Sequence, residues 1–300
     1  MMRPLKIGPS YVVEFSQDSA HLATLGRSVW MWGLQSRTRQ WRSHPFPHPS
    51  YVVFSPDSAT LAVKDTTGKI VVLKAADASV VVNFQDLGDG EGSNIVYSQQ
   101  GDFLIDGSWS GYVSIRDVSS GATVFHRLFQ GEMIRRIHSD QARQHWIIEH
   151  QPKVRQGGTY ASSAYFTHWQ WPFHHGTLAA VPTRFNRLHG SALSHDGSRL
   201  AVIDGESLQI RHLPDGELIV SAPVEIGGTG AALRWSPDGS ILGSIQKKKI
   251  VLYRTHDMSI ERSFSFDCPS DVAFSPKGGM IALGDWAAGL LVDGPPYDLT

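Results

Sequence analysis

The amino-acid sequence predicts an all-β fold built from seven repeated units, each a four-stranded antiparallel sheet. The first indication is a recurring element in which an apolar run ends at a serine, a polar turn follows, and a second apolar run begins. Two clear copies are "YVVFSPDSATLAV" at 51–63 and "LRWSPDGSILGSI" at 233–245. The second indication is that the other apolar runs are short and separated by Gly, Asp and Ser, which is typical of strands joined by tight turns. No long stretch has the apolar period of a helix.

The serine of each element serves as a marker that measures the repeat. The markers are Ser16, Ser55, Ser98, Ser194, Ser236 and Ser275, spaced by 39, 43, 96, 42 and 39 residues. The long gap contains a degenerate copy, "MIRRIHSDQARQHWIIEH", and Ser139 as its marker divides the gap into 41 and 55 residues. The sequence therefore predicts seven units of about 40 residues, one of them enlarged.

Seven units of four strands predict a seven-bladed β-propeller, in which short sheets pack radially in a ring around a channel. We expect residues 1–300 to form this single domain, with an enlarged blade 4 at about residues 131–186. The last unit lacks a fourth apolar run after "GLLVDG" at 289–294. We therefore expect residues 3–7 to complete blade 7, which closes the ring and removes two exposed sheet edges.

The ends of the third apolar runs carry a resemblance to a known family. The aligned pairs are Trp32-Gly33, Leu73-Lys74, Arg116-Asp117, Trp171-Pro172, Arg211-His212 and Tyr253-Arg254. With this period and these positions, essentially the whole chain resembles the WD-repeat β-propellers, whose third strands usually end in Trp-Asp. Only one pair keeps the Asp, none keeps both residues, and the usual Gly-His start of each unit is missing. The resemblance implies divergent repeats, in which the buried Asp-His-Ser-Trp network of typical members is lost in most blades.

We interpret the recurring Ser-x-Asp element as a turn and not as catalytic chemistry. Its Asp can accept N–H groups of its own turn, a following Gly tolerates positive φ, and Pro in some copies fixes φ. A serine nucleophile would need a base at the same site, but the copies lie on different blades and only His138 and His195 occur within them. Motifs for phosphate, dinucleotide or zinc chemistry are absent from the sequence. We therefore expect no catalytic residue, no cofactor and no enzymatic activity.

Composition sets expectations for partners and location. The net charge of −1 gives no overall attraction to nucleic acid or to an anionic membrane. No apolar run of about 18 residues and no apolar secretory segment occur. The single cysteine, Cys268, excludes an internal disulfide and fits a reducing compartment. We expect a cytoplasmic protein that is monomeric outside its complex and binds neither nucleic acid nor membrane.

Two tryptophans are candidate partner contacts. In a propeller, the turns between second and third strands share one face with the connections between blades, and WD-repeat proteins usually bind partners on this face. Trp109 in "GSWSGYV" and Trp286 in "GDWAAGLL" lie at equivalent positions of these turns, on roughly opposite sides of the predicted channel. Exposed tryptophan is a frequent anchor of interfaces. The alternative is that each indole packs into the core between blades.

The enlarged fourth unit supplies the remaining candidates. A long loop, "QPKVRQGGTYASSA", lies at 151–164 on the same predicted face. Because insertions in repeat proteins often map to the binding face, Lys153, Arg155 and Tyr160 are candidate contacts. The alternative is a tolerated surface insertion.

Histidines and lysines in this part of the sequence do not predict a metal or nucleic-acid site. The histidines of the fourth unit are His145, His150, His168, His174 and His175. Zinc needs three or four converging ligands, whereas His145 and His150 are five apart on one strand and face opposite sides. The "KKK" run at 247–249 is interpreted as a solvated turn of blade 6. We expect no metal site.

Three functions remain open from the sequence. The first is a non-enzymatic scaffold or adaptor that binds a protein or peptide on the loop face. The second is a small-ligand-binding or enzymatic propeller that uses the channel mouth. The third is a specific inhibitor or toxin-neutralising partner protein. The first is preferred on family analogy, because fold alone does not define function.

Overall fold

The computed structural model describes residues 3–85, 92–153, 155–156, 159–160, 164–170, 179–180, 185, 187–213, 215–227 and 232–294. Every regular element within these ranges is a β-strand or an isolated bridge. A search of the same residues finds no helix with the length and apolarity to cross a membrane. The chain divides into two compact units.

The first unit comprises Met1–Pro45, His189–His212 and Glu217–Thr300. It contains blades 1 and 7 and the sheets that we number blades 5 and 6. Blade 1 consists of β2 (Val12–Phe15), β3 (His21–Leu25), β4 (Val29–Gly33) and β5 (Thr38–Arg42). Blade 5 consists of β20 (Leu188–Leu193), β21 (Arg199–Asp204), β22 (Ser207–His212) and β23 (Leu218–Pro223). Blade 6 consists of β24 (Leu233–Trp235), β25 (Ile241–Gln246), β26 (Lys249–Arg254) and β27 (Ile260–Ser265).

The second unit comprises Phe46–Leu188 and Leu213–Gly216. Blade 2 consists of β6 (Pro49–Phe54), β7 (Thr60–Asp65), β8 (Lys69–Lys74) and β9 (Val80–Gln85). Blade 3 consists of β10 (Gly92–Tyr97), β11 (Phe103–Ser108), β12 (Tyr112–Asp117) and β13 (Thr123–Leu128). Blade 4 consists of β14 (Glu132–Ser139), β15 (His145–Pro152), β18 (Tyr165–Gln170) and β19 (Ala179–Ala180), and a separate hairpin joins β16 (Arg155–Gln156) to β17 (Thr159–Tyr160).

Blade 7 is completed by the N-terminal strand. It contains β28 (Pro269–Phe274), the long β29 (Met280–Asp293) and β1 (Leu5–Ser10). β29 turns back on itself, because the Gly294 N–H donates to the Gly279 carbonyl at 3.0 Å. Its first half pairs antiparallel with β28 and its second half with β1, where Leu5 lies opposite Leu291. The predicted closure is confirmed, and the strand runs from residue 5 to residue 10 where the sequence had suggested 3–7.

These seven four-stranded antiparallel sheets, the last completed by the N-terminal strand, are the blades of a seven-bladed β-propeller, as the sequence predicts. The middle strands are largely buried, and the fourth strands of blades 1, 2, 3, 5 and 6 are largely exposed; β25 is buried at all six positions, whereas β27 has no buried position. Apolar side chains from neighbouring sheets form the core between them. One such cluster joins blades 5 and 6 through Ile203, Trp235 and Leu242.

The recurring Ser-x-Asp element forms the turn between first and second strands. In every blade the marker N–H donates to the carbonyl five residues later, as from Ser55 to Thr60 at 2.9 Å. In blades 1, 2, 5 and 6 the marker hydroxyl donates to the Asp two residues later and accepts the N–H five residues later. The element is therefore a hydrogen-bonded turn, as we interpreted it.

Two alignments in blade 4 were wrong by one or two residues. The marker position is held by Asp140, whose N–H donates to the His145 carbonyl at 3.1 Å, and not by Ser139. Asp140 Oδ1 accepts the N–H groups of Gln144 and His145, so a carboxylate replaces the serine hydroxyl. The third strand ends in Trp169-Gln170, because Gln170 lies opposite His145, whereas Trp171-Pro172 lies outside the described residues. The degenerate copy has Asp140 at the marker position where the other copies have serine, so aligning it by its serine shifted the register.

Replacing Asp140 tests this register. We expect Asp140→Ala to lower the free energy of unfolding by about 1–3 kcal/mol, because two N–H groups lose their acceptor. Asp140→Ser should recover part of this loss, since serine serves the same N–H in other blades. Ser139→Ala should have little effect. Urea unfolding of the three variants measures this, and a larger loss in Ser139→Ala than in Asp140→Ala would contradict the assignment.

Replacing Ser194 tests the energetic role of the turn. Burial alone would raise the pKa of Asp196, but hydrogen bonds from Ser194 and Ser198 outweigh it and lower that pKa to about 2. Because the folded pKa lies below the ordinary value of about 3.9, this stabilisation is present above about pH 4 and is lost as the pH falls towards about 2. We expect Ser194→Ala to lower stability at pH 7 by about 1–3 kcal/mol.

The free energies of unfolding of wild type and Ser194→Ala should become more similar as the pH falls from about 4 towards 2. The reason is that the Asp196 carboxylate, which accepts the Ser194 hydrogen bond, becomes protonated. Urea unfolding at several pH values measures this. Ser263→Ala, at an exposed position of β27, is the matched control. A difference that stays constant over this pH range would contradict the prediction.

Candidate functional site

In the described parts of the blades, the turn between second and third strands lies beside a connection between blades. Backbone hydrogen bonds join the two: Phe266, after blade 6, donates to the Lys248 carbonyl, and Trp286 in blade 7 donates to the carbonyl of Cys268, which lies before that blade. We call this end of the sheets the loop-bearing side. The predicted grouping of these loops on one side of each blade is thus seen within the individual blades.

Trp286 is an exposed candidate contact that follows a fixed turn. Asp285 Oδ1 accepts the N–H groups of Ala287 and Ala288 at 2.8 and 2.7 Å, and its Oδ2 accepts the Cys268 N–H at 3.0 Å. Asp285 is itself buried, so its carboxylate fixes the turn from below. Trp286 follows it directly and is 51% exposed.

Tyr11, which follows β1, lies against Trp286. The two ring centroids are 5.1 Å apart with the planes tilted by 30°. The Tyr11 hydroxyl donates to the Gly26 carbonyl at 2.5 Å, which fixes the phenol. Burial raises the pKa of Tyr11, and the nearby Arg27 opposes this, so the phenol stays neutral and acts as a donor. The two rings form an exposed aromatic surface, which we call the Trp286–Tyr11 shelf.

Trp109 occupies the equivalent turn position in blade 3. Its preceding residue is Ser108, whose hydroxyl accepts the Tyr112 N–H at 3.2 Å and is bonded to the Ser110 hydroxyl at 3.0 Å. Ser108 thus holds the turn where Asp285 does so in blade 7. Trp109 is half-buried. This exposure is intermediate between that of an exposed interface anchor and that of a side chain packed in the core between blades.

The loop at 151–164 contains a short hairpin. Arg155 lies opposite Tyr160 in its backbone register, but their side chains are outside what the structure describes. Lys153 is exposed, and its N–H donates to the Gly131 carbonyl at 2.8 Å in the adjoining connection. The loop therefore belongs to the loop-bearing side of blade 4. Residues 154, 157–158 and 161–163 lie outside the described part of the chain.

Blade 4 also contains a hydrogen-bonded chain that sequence reasoning missed. His150 Nδ1 is bonded to Glu132 Oε2, and His150 Nε2 is 2.8 Å from Thr167 Oγ1. The order acid–histidine–hydroxyl resembles a nucleophilic triad. However, His150 is only 7% exposed and its ring lies between Phe129 and Tyr165. The chain therefore ties three strands together, and only strand register could have revealed it.

Two other sites hold buried charges, one between blades 2 and 3 and one within blade 4. Lys64 in blade 2 forms a fully buried ion pair with Asp106 in blade 3 and donates to the Gly107 carbonyl at 2.8 Å. Burial would raise the pKa of Glu149, but Arg135 at 3.2 Å, with His138 and Arg136 nearby, lowers it to about 2. Both sites consist of compensated charges, which suits structural roles.

The predicted histidine-rich region brings two imidazoles together. His145 Nδ1 and His168 Nε2 are 3.0 Å apart on adjacent strands. Burial and the charge of His145 lower the pKa of His168, against Asp140. Within the described ranges no group of three or more His, Cys, Asp and Glu could hold a metal ion. His174 and His175 lie outside the described residues.

The lysine run in blade 6 lies where the sequence placed it. Lys247 and Lys248 form the exposed turn between β25 and β26, and Lys249 begins β26. Lys249 Nζ is 3.4 Å from Glu225 Oε1. The run is a hairpin turn on the loop-bearing side, next to the connection between blades.

Comparison with known proteins adds no relative: no protein-family model matches the chain, and no curated protein matches it. The class of the protein, a seven-bladed β-propeller, is therefore defined by its strands and their pairing. Propellers commonly serve as platforms for protein interaction.

Replacing Asp285 tests how the shelf is held. We expect Asp285→Ala to lower the free energy of unfolding by about 1–3 kcal/mol, because three N–H groups lose a buried acceptor. The amides of Ala287 and Ala288 should exchange with deuterium faster, which NMR or mass spectrometry can measure. Asp267→Asn, at an exposed position of the same connection, is the control. Unchanged exchange in Asp285→Ala would mean that the carboxylate does not hold the turn.

Proposed function

We propose that this protein is a non-enzymatic scaffold or adaptor that binds a protein or peptide partner on its loop-bearing side. The observation that carries the proposal is the Trp286–Tyr11 shelf. A half-exposed tryptophan packed against a tyrosine whose hydroxyl is hydrogen-bonded provides a large apolar surface with reduced conformational freedom. Such a surface is favourable for a partner to cover, because less entropy remains to be lost.

Trp109, Lys153, Arg155 and Tyr160 are proposed as further contacts. The turn of Trp109 and the hairpin that bears Arg155 and Tyr160 both lie at the loop-bearing ends of their blades. The lysine and arginine would add electrostatic selectivity for an acidic region of the partner. We propose no role for these residues in chemistry.

We further propose that the propeller is of the WD-repeat type with divergent blades. In blade 1, Trp32 near the end of the third strand donates from Nε1 to Thr24 Oγ1 on the second strand at 3.3 Å. This is the Trp-to-Ser/Thr link expected of the family's buried network. In blade 2, Asp65 Oδ1 accepts the N–H groups of Thr67 and Lys69 in the turn between second and third strands.

The non-enzymatic proposal is supported by how the polar side chains are used. The acid–histidine–hydroxyl chain of blade 4 is enclosed by aromatic rings, and Glu149 and Lys64 are neutralised within the sheets. Each of these groups has its hydrogen-bonding capacity directed at neighbouring strands. We propose that the protein acts in the cytoplasm as a monomer until it meets its partner.

Replacing Trp286 tests the proposal. Partners captured from native cell extract by wild type would be identified by mass spectrometry, and the leading partner purified. We expect Trp286→Ala to weaken its binding by about 30-fold or more in calorimetry, as for an interface anchor. Ile260→Ala is the matched control, because Ile260 is a large apolar side chain that is 62% exposed on the outer strand β27. Equal affinity of wild type and Trp286→Ala would contradict the proposed surface.

A further inference from the structure

A groove lies beside the strand that completes blade 7. It has a volume of about 580 Å³ and is lined by Arg3, Pro4, Leu5, Lys6, Arg37 and Leu290. Leu5 and Leu290 belong to the paired strands β1 and β29, and Arg37 belongs to the turn between β4 and β5 of blade 1. The groove therefore has an apolar base and cationic side chains along its rim.

Three cations line this groove, Arg3, Lys6 and Arg37, and the outer strand β5 of blade 1 carries two more, Arg39 and Arg42. Arg42 lies away from the groove lining, because its Nε donates to Ser28 Oγ at 3.2 Å in the turn between β3 and β4. Arg39 reaches β1, since a Cβ on Gly8 would lie 3.8 Å from its Nη2. No salt bridge in the described ranges includes Arg3, Lys6, Arg39 or Arg42. In a chain of net charge −1, this is a strong local concentration of positive charge.

Arg37 occupies a backbone conformation that favours glycine. Its φ is +54°, and comparable positive φ values occur in the corresponding turns of blades 2, 3, 5 and 6, at Ala78, Gly121, Gly216 and Met258. In blade 1 this position carries a guanidinium, whose Nη2 donates to the Arg3 carbonyl at 2.7 Å. The side chain thus lies across the start of the N-terminal segment.

The strand beside the groove has an unpaired edge. Among the described residues β1 pairs with β29 alone, so no strand is paired along its other edge. An extended peptide can bind such an edge through main-chain hydrogen bonds, with alternate side chains meeting the groove. The surrounding cations would select acidic side chains on that peptide.

The tryptophans of the neighbouring strand β4 in blade 1 favour a peptide over single-stranded nucleic acid. Arg39 lies over the rings of Trp30 and Trp32 at 4.6 and 4.9 Å, and Arg42 lies over Trp30 at 5.0 Å. These rings are thereby covered by guanidinium groups. Binding of single-stranded nucleic acid depends on aromatic faces open to stacking bases, and here the guanidinium groups occupy them.

We propose that this groove binds an acidic peptide segment in extended conformation, added to the free edge of β1. Arg3, Lys6 and Arg37 would contact its carboxylates, while Leu5 and Leu290 would contact apolar side chains. This surface is distinct from the Trp286–Tyr11 shelf, and the peptide that it binds is selected by its negative charge. The proposal does not require the shelf to be an interface.

The test uses a fluorescein-labelled ten-residue peptide that alternates Glu and Val, with fluorescence anisotropy as the readout. We expect saturable binding that weakens as salt is raised, because the contacts are ionic at an exposed site. The double variant Arg3→Glu/Lys6→Glu should weaken binding at least tenfold, since both side chains are exposed. Arg37→Gly should also weaken it while keeping the fold, because glycine suits that φ.

Controls separate this groove from other cationic surfaces. Lys277→Glu, in the exposed first turn of blade 7, and Trp286→Ala, in the shelf, should both bind the peptide as wild type does. Thermal unfolding checks that every variant is folded. Absence of saturable binding to wild type, equal binding by Arg3→Glu/Lys6→Glu, or tighter binding of a ten-nucleotide oligothymidylate would each overturn the proposal. Loss of peptide binding in Trp286→Ala would instead assign the peptide to the shelf.

Discussion

The burial of the two middle strands of each blade between neighbouring sheets is the constraint on which the rest of the structure depends. Strands such as β7 and β25 present apolar side chains to both sides, so each sheet is stable only against a neighbour. Charged groups that enter this layer are costly unless they are paired there. Lys64 with Asp106, and Glu149 with Arg135, show how charges are paired when strand order brings them inside.

The same constraint explains a hydrogen bond that recurs between first strands. Asn94 in blade 3 exchanges two bonds with the backbone of Ile137 in blade 4, through its amide nitrogen and oxygen at 2.8 Å each. Asp271 in blade 7 accepts the N–H of Val13 in blade 1 at 3.1 Å. Both side chains stand four residues before their markers. The first strands of adjacent blades belong to different sheets, so their backbones do not pair with each other. Side chains such as Asn94 and Asp271 therefore satisfy backbone groups that no neighbouring strand pairs.

Because the middle strands are committed to packing, the exposed surfaces are formed by turns and outer strands. The N-terminal segment shows how much can depend on one such stretch. Residues 5–10 complete blade 7, Arg3 and Lys6 line the groove outside it, and Tyr11 supports Trp286 on the loop-bearing side. Closure of the last blade therefore assembles two exposed surfaces of different chemistry, one aromatic and one cationic. A partner that bound either would contact the strand that completes this sheet.

The sequence by itself determined the number of blades, the first hairpin turn of most blades and the pairing of the N-terminal strand with the last blade. These features depend on short-range turn chemistry and on a fixed period, both of which are visible within a few residues. It also placed Trp109 and Trp286 at equivalent turn positions. It misplaced the marker of blade 4, because an aspartate accepts the same N–H bond as the missing serine, and a shift of one residue reverses the faces of a strand.

Only the tertiary structure decided which side chains meet across strands. The contact of His150 with Glu132 and Thr167 joins residues 18 and 17 positions away, and the basic groove joins Arg3 and Lys6 to a turn more than 30 residues later. Such meetings follow from register and from the packing of one sheet on the next. The period of the sequence predicts the number of sheets. The side-chain contacts within and between the sheets depend on strand register, which no local sequence pattern specifies.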